Sequence, residues 1–390
     1  MNVPLIDLKT QNLPLEEKFM QAFQRVMRSG HFILGEEVQS FEQEAAHYLG
    51  VKHALGVSSG TDAILLALMA LGIKEGEEVL CPSFTFFATA GCVARLDAVP
   101  VFVDVCPVSF NIDMNDARKK ISSRTRAIIP VHLFGQAAEM DGVIDFAQEH
   151  SLSVVEDAAQ AFGARYRGKT VGGISQFGAY SFFPTKNLGA FGDAGLLVTN
   201  DDVLAERARI LRVHGMEPKY YHQSIGGNFR IDALQAALLR VKLPHVDEYS
   251  QKRAHFASRY TEKLSQLPGI CVAKQEECGA IKKGEVSDVK CILPVAREYN
   301  HHIWNQYTLR VLGGKRESLK QALLQAGIGC EVYYPVPLHR QQCFNYLPES
   351  HCPVAETLAS ECLSIPVSSE LTEEMQNVVI EKIADWLKNH

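Results

Sequence analysis

The sequence predicts an α/β protein in which a largely parallel sheet, buried on both faces, is followed by a smaller α/β domain. Three observations carry this. From about residue 50 to 200, short apolar runs alternate with amphipathic stretches, the pattern of successive βα units. The apolar runs are continuous, as strands covered on both faces are. A long helical stretch then closes this block near residue 245, and a second set of strand-like and helix-like segments follows. The expected division is a large domain over residues 1–245, including an N-terminal arm, and a smaller one over 246–390.

The elements follow in order. "HALGVSS" reads as a strand and "TDAILLALMALGI" as the helix after it; "EVLCPS" and "TFFATAGCVARL" repeat the pair. "VPVFVDV", "RAIIPVHLFG" with "EMDGVIDFAQEH", and "LSVVEDA" continue it. After that the pattern changes, because "ARYRGKTVGG", "FGAYSFF" and "AGLLVTN" are strand-like with no helices between them. The helical "RIDALQAALLRVKL" and, after Pro244, "HVDEYSQKRAHFASRYTEKLSQL" join the two blocks. Beyond them come a strand in "HIWNQYTLRVL", a helix in "KRESLKQALLQAG", the extended "CEVYYPVPLH" and a last helix in "LTEEMQNVVIEKIADWLKN".

With 46% hydrophobic and 22% charged residues among 390, the chain has enough apolar material for one large core and a second, smaller one. A net charge of −6 gives no reason to expect nucleic acid or an anionic membrane as a partner. The basic stretch over 117–126 reads as a solvated helix face leading into a strand. No signal segment opens the sequence and no apolar stretch is long enough to span a bilayer, so a cytoplasmic location is expected. The ten cysteines are scattered, often within apolar runs, and no C-x-x-C occurs, which favours buried reduced thiols over disulfides. The histidines show no ligand spacing, His301 and His302 beside Trp304 reading as a strand edge, and no metal is expected.

One stretch raises a rival function. "GARYRGKT", residues 163–170, fits the P-loop pattern letter for letter, and would make the chain a nucleotide-binding or regulatory protein. A P-loop needs a helix starting at its Lys-Thr pair, whereas here "VGGISQFG" follows and "ARYRGKTV" alternates like a hairpin turning near Gly168. The hairpin is the expected structure.

Three other stretches carry chemistry. In "VSSGTDAILLAL" a strand ends at Ser58, Ser59, Gly60 and Thr61 and a helix begins at once, so free N–H groups and the Thr61 hydroxyl can face an anion; an ordinary cap by Ser59 or Thr61 is the plainer alternative. In "SVVEDAAQAFGA" Asp157 ends an apolar strand, where a carboxylate can point into a cleft at the sheet edge or merely cap a helix. In "AYSFFPTKNLGAFGDAG" Lys186 sits among Phe182, Phe183, Leu188 and Phe191, where burial lowers an amine's pKa and makes it a nucleophile toward an aldehyde, unless it is a surface lysine on a hairpin. An anion cradle, an acid for a ring nitrogen and an amine for an aldehyde together suit pyridoxal 5'-phosphate.

The blocks "SSGTDAILLAL", "PSFTFFATA", "VVEDAAQAFGA", "SFFPTKNLGAFGDAG" and "GGNFRIDALQAA", in this order, resemble the DegT/StrS family of sugar aminotransferases, within the fold-type-I superfamily typified by aspartate aminotransferase. The resemblance runs over nearly the whole chain and implies a large domain with a mostly parallel seven-stranded sheet. It implies that Lys186 holds the cofactor aldehyde as a Schiff base and moves the proton in catalysis, and that Asp157 pairs with the protonated pyridine nitrogen. Gln160 matches the residue near the ring hydroxyl, and Phe84 the aromatic that stacks on the ring, its plain alternative being the core. Gly60, Thr61 and Ser181 fall at phosphate positions, and Asn228 matches an asparagine reaching the phosphate from the neighbouring subunit of a homodimer. The implied reaction moves an amino group from L-glutamate to a nucleotide-linked keto-deoxysugar. "GDAG" at 192–195 stands where many relatives have G-E-G-G or G-D-G-G, and the likeness of this loop to the second group implies C-3 of a dTDP-3-keto-6-deoxyhexose. A C-4 keto sugar and a keto-cyclitol are the alternatives within the family. Lys186 sets the chain apart from relatives that carry histidine there and catalyse dehydration.

Overall fold

The computed structural model describes residues 1–273 and 288–390. Its large sheet is built from β1 (His53–Val57), β2 (Glu78–Pro82), β3 (Val99–Val103), β4 (Thr125–Ile128) and β5 (Ser153–Asp157), with β8 (Phe177–Ser181) and β9 (Gly195–Thr199) after the short strands β6 (Arg165–Tyr166) and β7 (Lys169–Thr170). The order across the seven strands is β1-β9-β8-β5-β4-β2-β3. Six run parallel and β9 alone runs against its neighbours β1 and β8.

The continuous apolar runs are explained by what each face meets. Along β2, Val79 and Cys81 point into one core and Leu80 into the other; along β9, Leu197 joins the first while Leu196 and Val198 join the second. Successive side chains of a strand alternate between faces, so a sheet with two covered faces favours apolar residues at successive positions. Because six strands run the same way, β1, β2, β5 and β8 all end along one edge, which gathers Gly60, the 83–89 loop, Asp157 and Ser181.

The P-loop-like stretch is a hairpin. β6 and β7 pair antiparallel around Arg167 (φ 48°) and Gly168 (φ 81°), two left-handed residues that give a turn matched to strand twist. β12 (Asn300–His301) extends the hairpin into a three-stranded sheet. Lys169 is exposed and begins a strand, not a helix.

Helix Ala233–Lys242, a turn at Leu243–His245 and helix Val246–Leu264 lead into the second sheet. That sheet is β10 (Ile270–Val272), β11 (Cys291–Leu293), β13 (Tyr307–Val311) and β14 (Cys362–Ile365), packed with helices Arg316–Gln325 and Glu373–Lys388. The N-terminal arm is shared between the two cores: Val3 bridges Ile328 and is buried with the second, while Leu15 and Phe19 pack on Leu238. In the opposite direction, Ala355 and Leu358 of helix Pro353–Glu361 pack into a core of the large sheet. The nine cysteines within the described residues are all free thiols, Cys278 lying outside them.

Candidate active site

At the end of β5, Asp157 is 4% exposed. Thr89 donates its hydroxyl to Oδ2 at 2.8 Å and the Ala159 N–H approaches Oδ1 at 3.2 Å. Burial pushes the carboxyl above its usual range, while these two donors and the Lys186 and His132 charges pull it back. Lys186 follows β8 in a turn where its N–H bonds the Phe183 carbonyl at 2.9 Å. The residue is half-buried, and the protein packed around its amine lowers the pKa to about 8 against the opposing pull of Asp157. The two residues therefore share one site and feel each other's charge.

The turn is pinned from behind. Asn187 is 2% exposed, donates to the Ile303 carbonyl at 3.0 Å and accepts from Asn305 at 2.8 Å. Those contacts tie the Lys186 segment to the stretch leading into β13.

Helix Gly60–Leu71 begins directly after β1, capped by Ser59, whose Oγ accepts from the Asp62 N–H at 3.0 Å. The cap and the helix's own bonds leave the N–H groups of Gly60 and Thr61 without intrahelical acceptors. Gly195 is in register with both Val57 and Ser181, so the three stand side by side across the sheet. The approach is close enough that a Cβ on Gly195 would lie 2.4 Å from the Ser59 carbonyl carbon. The helix end and the Ser181 hydroxyl thus form one small cradle of hydrogen-bond donors, suited to an anion.

Gln160 accepts from the Phe134 N–H at 2.8 Å and donates to the Tyr334 hydroxyl at 3.2 Å. Tyr334, in the extended segment read from "CEVYYPVPLH", keeps its phenol proton because burial and the Asp157 charge both oppose ionisation. Phe84 departs from expectation. Its ring is fully buried, 6.3 Å from Phe110 and 6.1 Å from Tyr334, with no open face for a ligand to stack on. Phe86, two residues on, is 57% exposed, 6.2 Å from Tyr334, and lines a hollow of about 470 Å³ with Thr61, Phe87, Cys92 and Arg95. Asn228 is exposed and bridges Val213 through its backbone, which leaves its side chain on the surface.

Phe86, Thr89 and Tyr334 are site residues that the sequence did not single out, although the first two lie within the quoted "PSFTFFATA". The donor set fits pyridoxal phosphate: a closely packed helix start and Ser181 hydroxyl for the phosphate, a buried carboxylate for the ring nitrogen, an open ring for the stack and an amine of lowered pKa for the aldehyde.

Comparison with known proteins agrees. The chain is 46% identical to the pleiotropic regulatory protein of Geobacillus stearothermophilus, covering 100% of each. It is 40% identical to the dTDP-3-amino-3,4,6-trideoxy-alpha-D-glucose transaminase of Streptomyces venezuelae, over 98% of this chain and 96% of that one. Its structure matches the crystal structure of DesV from S. venezuelae with a TM-score of 0.91, at 39% identity over 99% of both chains. Residues 14–384 match the DegT/DnrJ/EryC1/StrS aminotransferase family, and the chain belongs to that family of pyridoxal-phosphate-dependent aminotransferases.

Proposed function

We propose that this aminotransferase carries an amino group from L-glutamate to C-3 of a dTDP-linked 3-keto-6-deoxyhexose, as a cytoplasmic homodimer with shared sites. The observation that carries the reaction type is the pairing of Lys186, with its lowered pKa, and the buried Asp157 in one site. Support for C-3 comes from the "GDAG" loop after Lys186 and from the 3-amino-sugar transaminase at 40% identity.

Bound pyridoxal phosphate supplies the electron sink for the carbon that loses its proton. Asp157 holds a proton on the pyridine nitrogen. The neutral Lys186 amine takes up and returns the proton at the reacting carbon, a task suited to a base whose pKa lies near the working pH. Gly60, Thr61 and Ser181 hold the phosphate, Gln160 orients the ring from its hydroxyl side, and Phe86, in place of Phe84, covers its face. Asn228 reaches the phosphate of the partner's site. No helix among the described residues is long and apolar enough to cross a membrane. The nucleotide-binding regulator is the weaker reading, since its motif folds as a hairpin.

The test is to incubate the enzyme and glutamate with 3-keto and 4-keto sugars linked to dTDP or UDP, and to locate the new amine by NMR. Amination of the dTDP-linked 3-keto sugar at C-3 is expected. A product aminated only at C-4 would remove the carbon assignment and leave the aminotransferase standing.

A further inference from the structure

We infer that Thr89 and Thr85 form a two-hydroxyl relay that holds Asp157 ionised and fixes its orientation, making Thr89 a positioning residue for the amino-transfer reaction. Thr89 is completely buried, Thr85 is 2% exposed, and their hydroxyls lie 3.3 Å apart. The direction of the chain follows from counting protons. A carboxylate only accepts, so the one hydroxyl proton of Thr89 goes to Asp157 Oδ2 at 2.8 Å. Thr89 can then only accept from Thr85, whose own proton points the same way. Both dipoles are aimed at the carboxylate, and each strengthens the other in a site shielded from water.

The need for such a relay lies in the site itself. Asp157 is 4% exposed, and an isolated carboxylate so placed takes up a proton instead of staying charged. Thr89 contributes the strongest opposing pull, ahead of the Ala159 N–H, Lys186 and His132. A neutral Asp157 would have no charge with which to keep a ring nitrogen protonated. The loop and the helix start that follows it set two parts of the site at once, because Thr85 precedes Phe86 and Thr89 lies in the first turn of helix Ala88–Ala94 just after it, Phe86 being the ring left open to the hollow. The Thr89 N–H bonds the Phe86 carbonyl at 3.3 Å, so the acid's partner and the stacking ring move together.

This inference rests on Asp157 being the partner of the pyridine nitrogen, and the experiment separates the two claims. Holoenzymes of the wild type, Thr89→Val, Thr89→Ser and Thr85→Val are loaded with cofactor labelled with ¹⁵N in the ring, and the nitrogen resonance and the rate of the glutamate half-reaction are recorded. A protonated nitrogen in the wild type supports the Asp157 reading; an unprotonated one refutes that reading and the relay's purpose with it. Given the former, Thr89→Val should move the resonance toward the unprotonated position and slow the half-reaction about tenfold to a hundredfold, the range for removing a hydrogen bond to a buried charge. Thr89→Ser should restore both, and Thr85→Val should shift both in the same direction by less. A wild-type resonance and rate in Thr89→Val would overturn the inference. Should Thr89→Val fail to fold, a wild-type resonance in Thr85→Val overturns it instead.

Discussion

A Cβ placed on Gly60 would lie 2.7 Å from the Cβ of Ser181, closer than real side chains approach. The first residue of a helix and the last of a strand two places away in the sheet are thus in contact only because one of them lacks a side chain. Gly60→Ala should force the helix end and the strand end apart, at a strain of about 1–3 kcal/mol. Affinity for pyridoxal phosphate should fall about tenfold, while affinity for pyridoxal, which has no phosphate to cradle, should hardly change. Equilibrium binding to the apo-protein checks this, and an equal loss for both would assign Gly60 to general packing.

The lowered pKa of Lys186 predicts how cofactor capture depends on pH. The neutral amine is the nucleophile, and burial disfavours the ammonium form, so half of the side chain is ready at a pH of about 8. Capture of pyridoxal phosphate by the apo-protein should quicken about tenfold per pH unit below that point and level off above it. An unshifted lysine would go on gaining up to a pH of about 10.4. A stopped-flow series across this range distinguishes the two.

Phe84 and Phe86 should fail in different ways. Phe84→Ala empties a fully buried site and should destabilise the fold by about 3–5 kcal/mol. Phe86→Ala removes an open ring, and should leave stability within about 0.5 kcal/mol while weakening the cofactor about tenfold. Thermal melts of the apo-proteins and cofactor titrations of each variant give both numbers.

That pair also shows how far the sequence could be read. The sheet was legible because its residues obey a local rule: covered on both faces, β2 and β9 are apolar through their middles, at Val79–Leu80–Cys81 and Leu196–Leu197–Val198. The hairpin at 165–170 was legible for a similar reason, since Gly168 sets a turn and no helix could start in the glycines after it. Asp157 and Lys186 stand out as polar residues at the ends of apolar runs. Three aromatics in four residues, Phe84, Phe86 and Phe87, carry no such mark. The ring that turns inward packs on Phe110, and both Phe84 and Phe86 lie near Tyr334, about 250 residues further along the chain, so the sequence near them could not separate the two. Thr89 was hidden likewise, because a threonine within an apolar helix reads as core until Asp157 is seen beside it. The arm, read with the large domain, also reaches the smaller one, a contact that local pattern does not show, since Val3 is held by Gly327 and Gly329 far along the chain.

If each site is completed by Asn228 of the other subunit, Lys186→Ala and Asn228→Ala proteins should both be impaired alone. Mixing and reassembling them should restore activity, because one of the two sites in a mixed dimer then has both residues. Assay after subunit exchange, with mixed dimers counted by mass spectrometry, measures this. Absence of recovery where mixed dimers are present would place each site within one chain.

The central claim is that Lys186 holds the cofactor, while Lys169 of the P-loop-like hairpin takes no part. Borohydride reduction of the purified holoenzyme, followed by proteolysis and peptide mass mapping, tests it most directly. The account predicts a single reduced cofactor adduct on the peptide carrying Lys186, with Lys169 unmodified. An adduct on any other lysine, or none in protein that still transfers amino groups, would contradict it.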